Sequence, residues 1–419
     1  MVVEEDMDWN QIGASSHSNP VILNEEIRMD QLKFGLASPE DAPKVEAFNR
    51  RLAAAGETEH YLSLEKPFRT MAHLEKSPIT VERLFCYEGD EIRGGVIIKR
   101  MTFRINGNSE EVATYVYPLS EGIINPTFKP VWPSMRAEMD RRYPLLYTSS
   151  GERAKRIVKL FSLPIPFHFA IFRAFPFLRN FSYLRKRKWL QILLDLAAYS
   201  GVGTIGLAIF EQVQRFRRLH PHMEGLTVER FDDWGNWADE IWEKTRDSYA
   251  LIGDRSMAAL QSLYPAENEH LNKLLFKTAG TKQPIGWVVL TCSKLSDPNY
   301  FGDMVLAALV DALAAPVDAR SVVSGALLWA KQARADLFVV NHTDMRWNEA
   351  FKQSGMIPWK TNFHLFLSPK LKERFDRLEE FAGHFFFARG DGHGPTSLWM
   401  ADYHSRNPVA RVQEAEESA

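Results

Sequence analysis

The stretch that decides the fold is EVATYVYPLSEGIINP, residues 111–126. Its first nine residues, Glu111–Leu119, are rich in β-branched and aromatic side chains, which favours a strand. A loop containing Gly122 follows, and a helical pattern then covers Phe128–Arg142. The sequence therefore predicts a strand–loop–helix unit in the first half of the chain.

The residues around this unit predict a longer order of elements, β-α-α-β-β-β-α-β-α. Ser38 and Pro39 are suited to begin the first helix, and Asn106-Gly107 is a strong hairpin turn. The predicted strands cover residues 31–37, 83–88, 92–105, 111–119 and 145–148, and the helices cover 38–55, 67–75, 128–142 and 152–161.

The second half repeats this order of elements without repeating the sequence. Its predicted strands cover residues 226–231, 271–278, 284–293, 301–312, 336–341 and 362–367, and its helices cover 232–246, 256–263, 319–335 and 346–354. The repeat predicts an α+β protein with two mixed-sheet domains.

Composition excludes several classes of protein. The 419 residues include 51 basic and 53 acidic side chains, with 45% hydrophobic and 25% charged residues, which excludes collagen, coiled coil, wholesale disorder and a polytopic membrane protein. Cys86 and Cys292 lie far apart, which excludes a disulfide framework and a CxxC zinc site. No metal is expected. The acidic start, MVVEEDMDW, lacks the pattern of a signal peptide, so a cytoplasmic location is expected.

One segment is strongly basic. Residues 153–194 contain ten Lys or Arg and no Asp or Glu, with aromatic side chains interleaved. The segment is interpreted either as a connector with paired bases or as a surface for phosphates or anionic lipids at the inner membrane face, and nucleic acid is not favoured. Leu196–Phe210 is uncharged but too short for a membrane span, so a buried helical linker is expected, with a membrane-dipping segment as the alternative. Gly201–Gly206 fits GxGxxG without the preceding strand that a dinucleotide site needs.

The element order and the loop at Tyr117–Ile124 resemble the Gcn5-related N-acetyltransferase family. The resemblance implies that acyl-coenzyme A binds where the fourth and fifth strands diverge, with backbone N–H groups facing its pyrophosphate. Gly122 matches the family's central glycine, whereas Leu119 replaces its Arg or Gln and Ile124 its last small residue. The implied coenzyme-binding residues are Pro118, Leu119, Ser120, Glu121, Gly122, Ile123, Ile124 and Asn341.

The second half resembles the closing motif of the same family through Asn341 and Asn348–Met356. Phe351 stands where many members have a tyrosine that protonates the departing thiolate, and phenylalanine has no proton to donate. The loop at 314–318 contains no glycine. The first half is therefore expected to hold the coenzyme.

The resemblance also implies catalytic residues in the first half. Glu111 matches a general base that some members carry, although an exposed strand residue beside Glu110 is the alternative. Ser150, with Ser149, is expected to hydrogen-bond the pantetheine or thiolate, or else to cap the next helix.

Three stretches make the whole chain resemble two-domain acetyltransferase-like proteins associated with bacterial polysaccharide synthesis: Pro118–Ile124, Pro166–Arg179 and Arg389–Pro395. The resemblance implies acyl transfer from acetyl-CoA or another acyl-CoA to an amino sugar or similar small amine. Acceptor-binding residues are then expected in the glycine-rich loop, namely Arg389, Asp391 and His393. Two alternatives stay open, a non-catalytic scaffold at the membrane face and an aminoacyl-tRNA-dependent transferase.

The predicted organisation has five parts. They are a disordered tail at 1–28, an N-terminal domain at 29–162, a basic, aromatic helical connector at 163–222, a C-terminal domain at 223–370, and a final helix, glycine-rich loop and acidic tail at 371–419.

Overall fold

The computed structural model describes residues 31–57, 60–64, 77–150, 161–183, 188–221, 223–295, 304–359, 361 and 363–392. The predicted tail at 1–28, the helix at 67–75, His393 and the acidic tail lie outside the described residues, as does the helix at 152–161 apart from residue 161.

The described strands and helices follow the predicted order closely. The strands are β1 Leu32–Leu36, β2 Thr80–Glu88, β3 Glu91–Ile105, β4 Asn108–Ser120, β5 Leu145–Ser150, β6 Ser162–Pro164, β7 Phe167–Ile171, β8 Leu226–Phe231, β9 Leu251–Gly253, β10 Asn272–Thr278, β11 Pro284–Leu295, β12 Met304–Ala314, β13 Leu337–Asn341, β14 Ile357–Trp359, β15 Phe363–Leu367 and β16 Phe385–Phe386. The helices are α1 Ala42–Ala54, α2 Val131–Arg142, α3 Ala174–Tyr183, α4 Lys188–Tyr199, α5 Val202–Phe216, α6 Trp237–Thr245, α7 Met257–Leu263, α8 Ala319–Gln332, α9 Met345–Gln353, α10 Pro369–Lys372 and α11 Leu378–Phe381.

The strands form two mixed sheets. The order in the first sheet is β1-β2-β3-β4-β5-β15-β6, with β9 paired to β3 and β16 to β9, and the order in the second is β14-β7-β13-β12-β11-β10-β8. Within each main path one pair is parallel, β4 with β5 and β12 with β13. The predicted fold class, α+β with two mixed sheets, is confirmed.

The two halves exchange strands. β7 follows the first half in sequence but pairs with β13 in the second sheet, and β15 belongs to the second half but pairs with β5 in the first. This exchange crosses the predicted domain limits at 162 and 222. The start of the segment predicted as a helical connector forms two strands instead, β6 and β7. Their hydrogen-bond partners, β15 and β13, lie far away in sequence, so the local pattern did not indicate strands there.

The residues predicted as a buried helical linker are exposed instead. Leu196–Phe210 spans the end of α4 and most of α5, and Leu196, Ile205 and Ile209 are each about three-fifths exposed. The prediction of burial was wrong because the run packs only one face of each helix against the protein.

Both parallel pairs diverge soon after they meet. β4 and β5 pair at Ala113–Leu145 and Thr114–Leu146 among the described residues. β4 then bulges where its register with β3 shifts, and Tyr117 there has a φ of +55°. β12 bulges in the same way at Val310, where its register with β11 shifts. Each sheet therefore opens into a cleft at the carboxyl ends of its parallel strands.

Candidate functional site: two clefts between diverging strands

The first cleft lies between the diverging ends of β4 and β5, residues 115–120 and 147–150. The chain leaves β4 through a 3₁₀ turn at Glu121–Ile123 and a second at Pro126–Phe128, and α2 begins at Val131. The Asn125 side chain accepts a hydrogen bond from the Thr127 amide and caps the second turn. The strand–loop–helix unit expected from the sequence is therefore present at this cleft.

Gly122 is required by the packing of this loop. A Cβ atom there would lie 2.8 Å from the Phe128 carbonyl oxygen and 3.0 Å from the Lys129 amide nitrogen. Any side chain at this position would push the first turn away from the start of α2. Replacing Gly122 would thus disturb the loop whether or not a ligand binds there.

Glu121 is buried within the loop and neutralised by two arginines. Its carboxylate accepts from Arg51 Nε at 2.8 Å and from Arg93 Nη1 at 3.0 Å. Arg93 also contacts Glu88 and Glu91. Burial lowers the pKa of its guanidinium, but Glu121, and then Glu88 and Glu91, raise that pKa above its usual value. The Glu121 side chain is therefore committed to the protein rather than to a ligand.

The other side chains of the predicted coenzyme loop divide into two groups. Leu119 and Ser120 are buried, and Ile124 packs against the core around α1. Pro118 and Ile123 are exposed. A ligand at this loop would therefore meet backbone groups and these two apolar side chains.

Aromatic rings fill the start of the first cleft. Tyr115 of β4 stacks on Tyr147 of β5 with ring centroids 5.1 Å apart, and Tyr147 stacks on Phe366 of β15 at the same distance. Arg136 of α2 lies over the Tyr147 ring, 4.6 Å from its centroid. Burial raises the pKa of both phenols, so they stay protonated at neutral pH.

The predicted catalytic residues lie at opposite ends of this unit. Ser150 ends β5 beside the cleft, where it pairs with Phe363. Glu111 lies near the start of β4, roughly 25 Å before Leu119 at the rise of an extended strand. Its exposed carboxylate accepts a hydrogen bond from Arg100 Nη1 at 2.8 Å. The structure does not bring Glu111 to the loop, and its catalytic role stays a prediction.

The second cleft, between the ends of β12 and β13, is spanned by the chain's own segment Phe385–Gly392. The Gly390 amide donates to the Val310 carbonyl of the bulge at 3.0 Å. On the other side, the Phe387 amide donates to Thr343 Oγ1 at 2.9 Å, just beyond β13. The segment therefore joins the two diverging strands through its backbone.

Two residues predicted to bind different ligands meet in this cleft. Arg389 Nη2 donates to Asn341 Oδ1 at 2.7 Å. Asp391 is fully buried and pairs with Arg255 at 2.8 Å. Asn341, Arg389 and Asp391 therefore all lie at the second cleft and not at the first.

A buried charge network holds the segment in place. Arg255 Nε lies 2.8 Å from Asp311 Oδ2, and Arg255 Nη2 lies 2.8 Å from Asp391 Oδ1, with all three residues unexposed. Lys99 of β3 donates to the Gly390 carbonyl at 3.0 Å, and burial lowers the pKa of its amine to about 8. Burial also raises the pKa of Asp311, and the Arg255 guanidinium opposes that rise.

Sequence reasoning missed this network. Asp311 is the one charged residue in the apolar run VLAALVDALA at 305–314, and Lys99 is the last residue of the run GVIIK at 95–99. A lone charge inside a buried strand needs a partner of opposite charge, so both residues could have been predicted to take part in buried ion pairs. Arg255 carried no such local signal. Among the described residues, no group of three or more His, Cys, Asp or Glu could hold a metal ion.

Comparison with known proteins gives likeness in fold alone. No protein-family model and no curated protein matches the chain. It is similar to the Saccharomyces cerevisiae N-myristoyltransferase with bound myristoyl-CoA, with a TM-score of 0.48 and 9% identity over 84% of this chain and 85% of that chain.

Two bacterial structures are similar to a comparable degree. The probable N-acyltransferase from Enterococcus faecalis has a TM-score of 0.46 and 8% identity, covering 82% of this chain and 74% of that chain. The GCN5-related N-acetyltransferase from Anabaena variabilis has a TM-score of 0.44 and 11% identity, covering 80% of this chain and 72% of that chain. Each of these likenesses is in overall arrangement, at identities between 8% and 11%.

Proposed function

We propose that the chain is an acyl-CoA-dependent N-acyltransferase that binds the coenzyme at the first cleft and transfers its acyl group, in the simplest case acetyl, to an amino sugar or a similar small amine. One observation carries the choice of cleft. The second cleft is spanned by residues 385–392. In the first cleft, β4 pairs with β3 and β5 pairs with β15 beyond the point where they part, and no described segment joins the facing edges of β4 and β5.

The first cleft has groups suited to a phosphate-bearing ligand. In the first turn of α2, the amides of Val131 and Trp132 have no carbonyl partner within the helix, Pro133 has no N–H, and the positive end of the helix dipole faces the loop. The carboxylate of Glu121 is already neutralised by Arg51 and Arg93, so it does not oppose an anion at the exposed side of the loop.

The reaction needs an amine, a base and an aligned thioester. The amine nitrogen attacks the thioester carbonyl carbon, the new C–N bond forms as the C–S bond breaks, and the proton lost by the amine balances the one gained by the thiolate. Glu111 is our candidate base because the family resemblance implies it, although it lies near the start of β4, on the far side of the β4–β5 pairs from the loop. Arg100 would then position the carboxylate. We expect Glu111→Gln to lower turnover without weakening coenzyme binding.

Calorimetric titration with acetyl-CoA and longer acyl-CoAs tests the proposal. Ile123→Glu places a negative charge on the loop of the first cleft at a side chain that is 52% exposed, and we expect it to weaken binding about tenfold by repulsion of the phosphates. Val317→Glu is the matched control, because it lies in the loop after β12 and is 85% exposed.

The outcomes separate the alternatives. Loss of binding in Val317→Glu but not in Ile123→Glu would move the coenzyme to the second cleft. No binding of any acyl-CoA by the unaltered protein would overturn the enzyme proposal and favour a non-catalytic scaffold. That second candidate is supported by the buried Leu119, which leaves the loop without the basic or amide side chain that the family resemblance implies.

A further inference from the structure

Helices α4 and α5 expose a large apolar face. Among the described residues, eleven of the twenty-one exposed large apolar side chains lie between residues 188 and 216. They are Trp189, Ile192, Leu193, Leu196, Tyr199, Val202, Ile205, Ile209, Phe210, Val213 and Phe216, the last 90% exposed. Together they present on the order of 1,000 Å² of apolar surface, above the few hundred that a soluble monomer usually shows.

The opposite face of this helical pair is anchored to the protein. Gly203 of α5 packs so closely against Leu178 of α3 that a Cβ there would overlap the leucine side chain. Glu211 lies 3.7 Å from Lys331 of α8. Because α5 is held on this side, its apolar side chains are presented outward as a fixed surface.

The lengths of α4 and α5 favour a position on the membrane surface over one across the membrane. No single described helix is long and apolar enough to span a bilayer. Taken together, α4 and α5 have the length and composition of a span, but the chain bends by 77° between them. At 1.5 Å per residue, α4 and α5 extend about 18 and 22 Å, short of the roughly 30 Å hydrocarbon core. Asp195 and Glu211 also interrupt the apolar sequence.

The segment around the apolar face is basic. Residues 173–218 contain nine basic and two acidic side chains, a formal charge of +7. Lys188 begins α4, and Arg215 and Arg217 are exposed at the end of α5. Arg179 of α3 lies over the ring of Tyr199, 5.8 Å from its centroid. An apolar face bordered by positive charge is complementary to an anionic lipid surface.

We propose that the apolar face of α4 and α5 docks onto the surface of an anionic lipid bilayer, with the helices lying in the interfacial region and the bases contacting headgroups. The inference does not depend on the proposed acyltransferase activity. Docking would hold the two sheets beside the membrane, where an acceptor carried by a lipid could reach the protein.

Flotation of the full-length protein with vesicles tests this directly. We expect binding to vesicles of phosphatidylcholine with phosphatidylglycerol and much weaker binding to phosphatidylcholine alone. Ile205→Asp with Ile209→Asp places two charges on the exposed face without touching the core, and we expect it to lower the bound fraction about tenfold. Val317→Asp with Met345→Asp adds the same charge at exposed apolar sites elsewhere and should bind like the unaltered protein.

Several results would overturn the proposal. One is failure of the unaltered protein to bind anionic vesicles, and another is an equal loss in both double variants. Concentration-dependent dimerisation that Ile205→Asp with Ile209→Asp abolishes, with no vesicle binding, would assign the face to a second copy. Resistance of the vesicle-bound protein to alkaline carbonate would indicate insertion across the bilayer. Equal urea midpoints for the variants exclude an effect of misfolding.

Discussion

Arg255→Met should release the segment that fills the second cleft. The guanidinium is fully buried and faces two carboxylates, Asp311 and Asp391, at 2.8 Å each, and it also lies 5.8 Å from the centre of the Phe386 ring. Removing it leaves two buried negative charges with Lys99 as their remaining cation. Breaking a buried pair of this kind costs about 3–5 kcal/mol, and we expect the free energy of unfolding to fall by about 4 kcal/mol.

Urea denaturation followed by tryptophan fluorescence measures this change. Arg377→Met is the control, because its pair with Glu380 is exposed on both sides and should cost at most about 1 kcal/mol. Adding Asp311→Asn to Arg255→Met removes one unpaired charge and should recover part of the loss. Faster proteolytic cleavage between 384 and 392 should accompany the single change. A loss below about 1 kcal/mol for Arg255→Met, with no change in cleavage, would refute the structural role of the network.

Three further predictions concern acid stability, core packing and a helix end. Burial lowers the pKa of His168 to about 4. As the pH falls below about 6.5, the unfolded state therefore gains a proton that the folded state does not, and the free energy of unfolding decreases until about pH 4. In urea titrations at a series of pH values, His168→Phe should remove about 3 kcal/mol of that decrease. Gly325→Ala should lower the free energy of unfolding by about 1–3 kcal/mol, because the new methyl would overlap the Phe276 ring, and a measured gain would contradict the close packing of α8 on β10. Arg334→Gly should raise the thermal midpoint, with a gain of about 0.5–1 kcal/mol, because residue 334 follows α8 with a φ of +58° that glycine adopts freely.

Elements with a local signal were predictable from the sequence. Asn106 and Gly107 form the expected hairpin turn with φ of +48° and +84°, and β8 has the predicted limits, Leu226–Phe231. The strand, loop and helix around Gly122 were likewise predictable, since alternation, a turn residue and helical spacing all lie within about thirty residues.

Features set by distant contacts were not predictable. β7 has five residues and is defined by its pairing with β13 and β14, and β9 has three residues that pair with β3 and β16. Arg255 and Asp391 are separated by 136 positions in sequence. Nothing in the local pattern around either residue indicates that they form one buried network, or that Arg389 would bind Asn341 rather than a ligand.

Both clefts form where parallel strands diverge, but the chain fills only the second among the described residues, and backbone hydrogen bonding explains the difference. When parallel strands diverge, the N–H and C=O groups facing the gap lose their partners and need others from water, from a ligand or from the chain. In the second cleft Gly390 supplies one to Val310, and only glycine fits there because a Cβ would overlap the Tyr264 hydroxyl. The loop after β12 would also repel an anion, since Asp318 stands at the start of α8. The first cleft instead has a loop whose Glu121 is neutralised by Arg51 and Arg93, and the amides of Val131 and Trp132 at the start of α2. Filling one cleft from within thus stabilises the second sheet, and our proposal assigns ligand binding to the first.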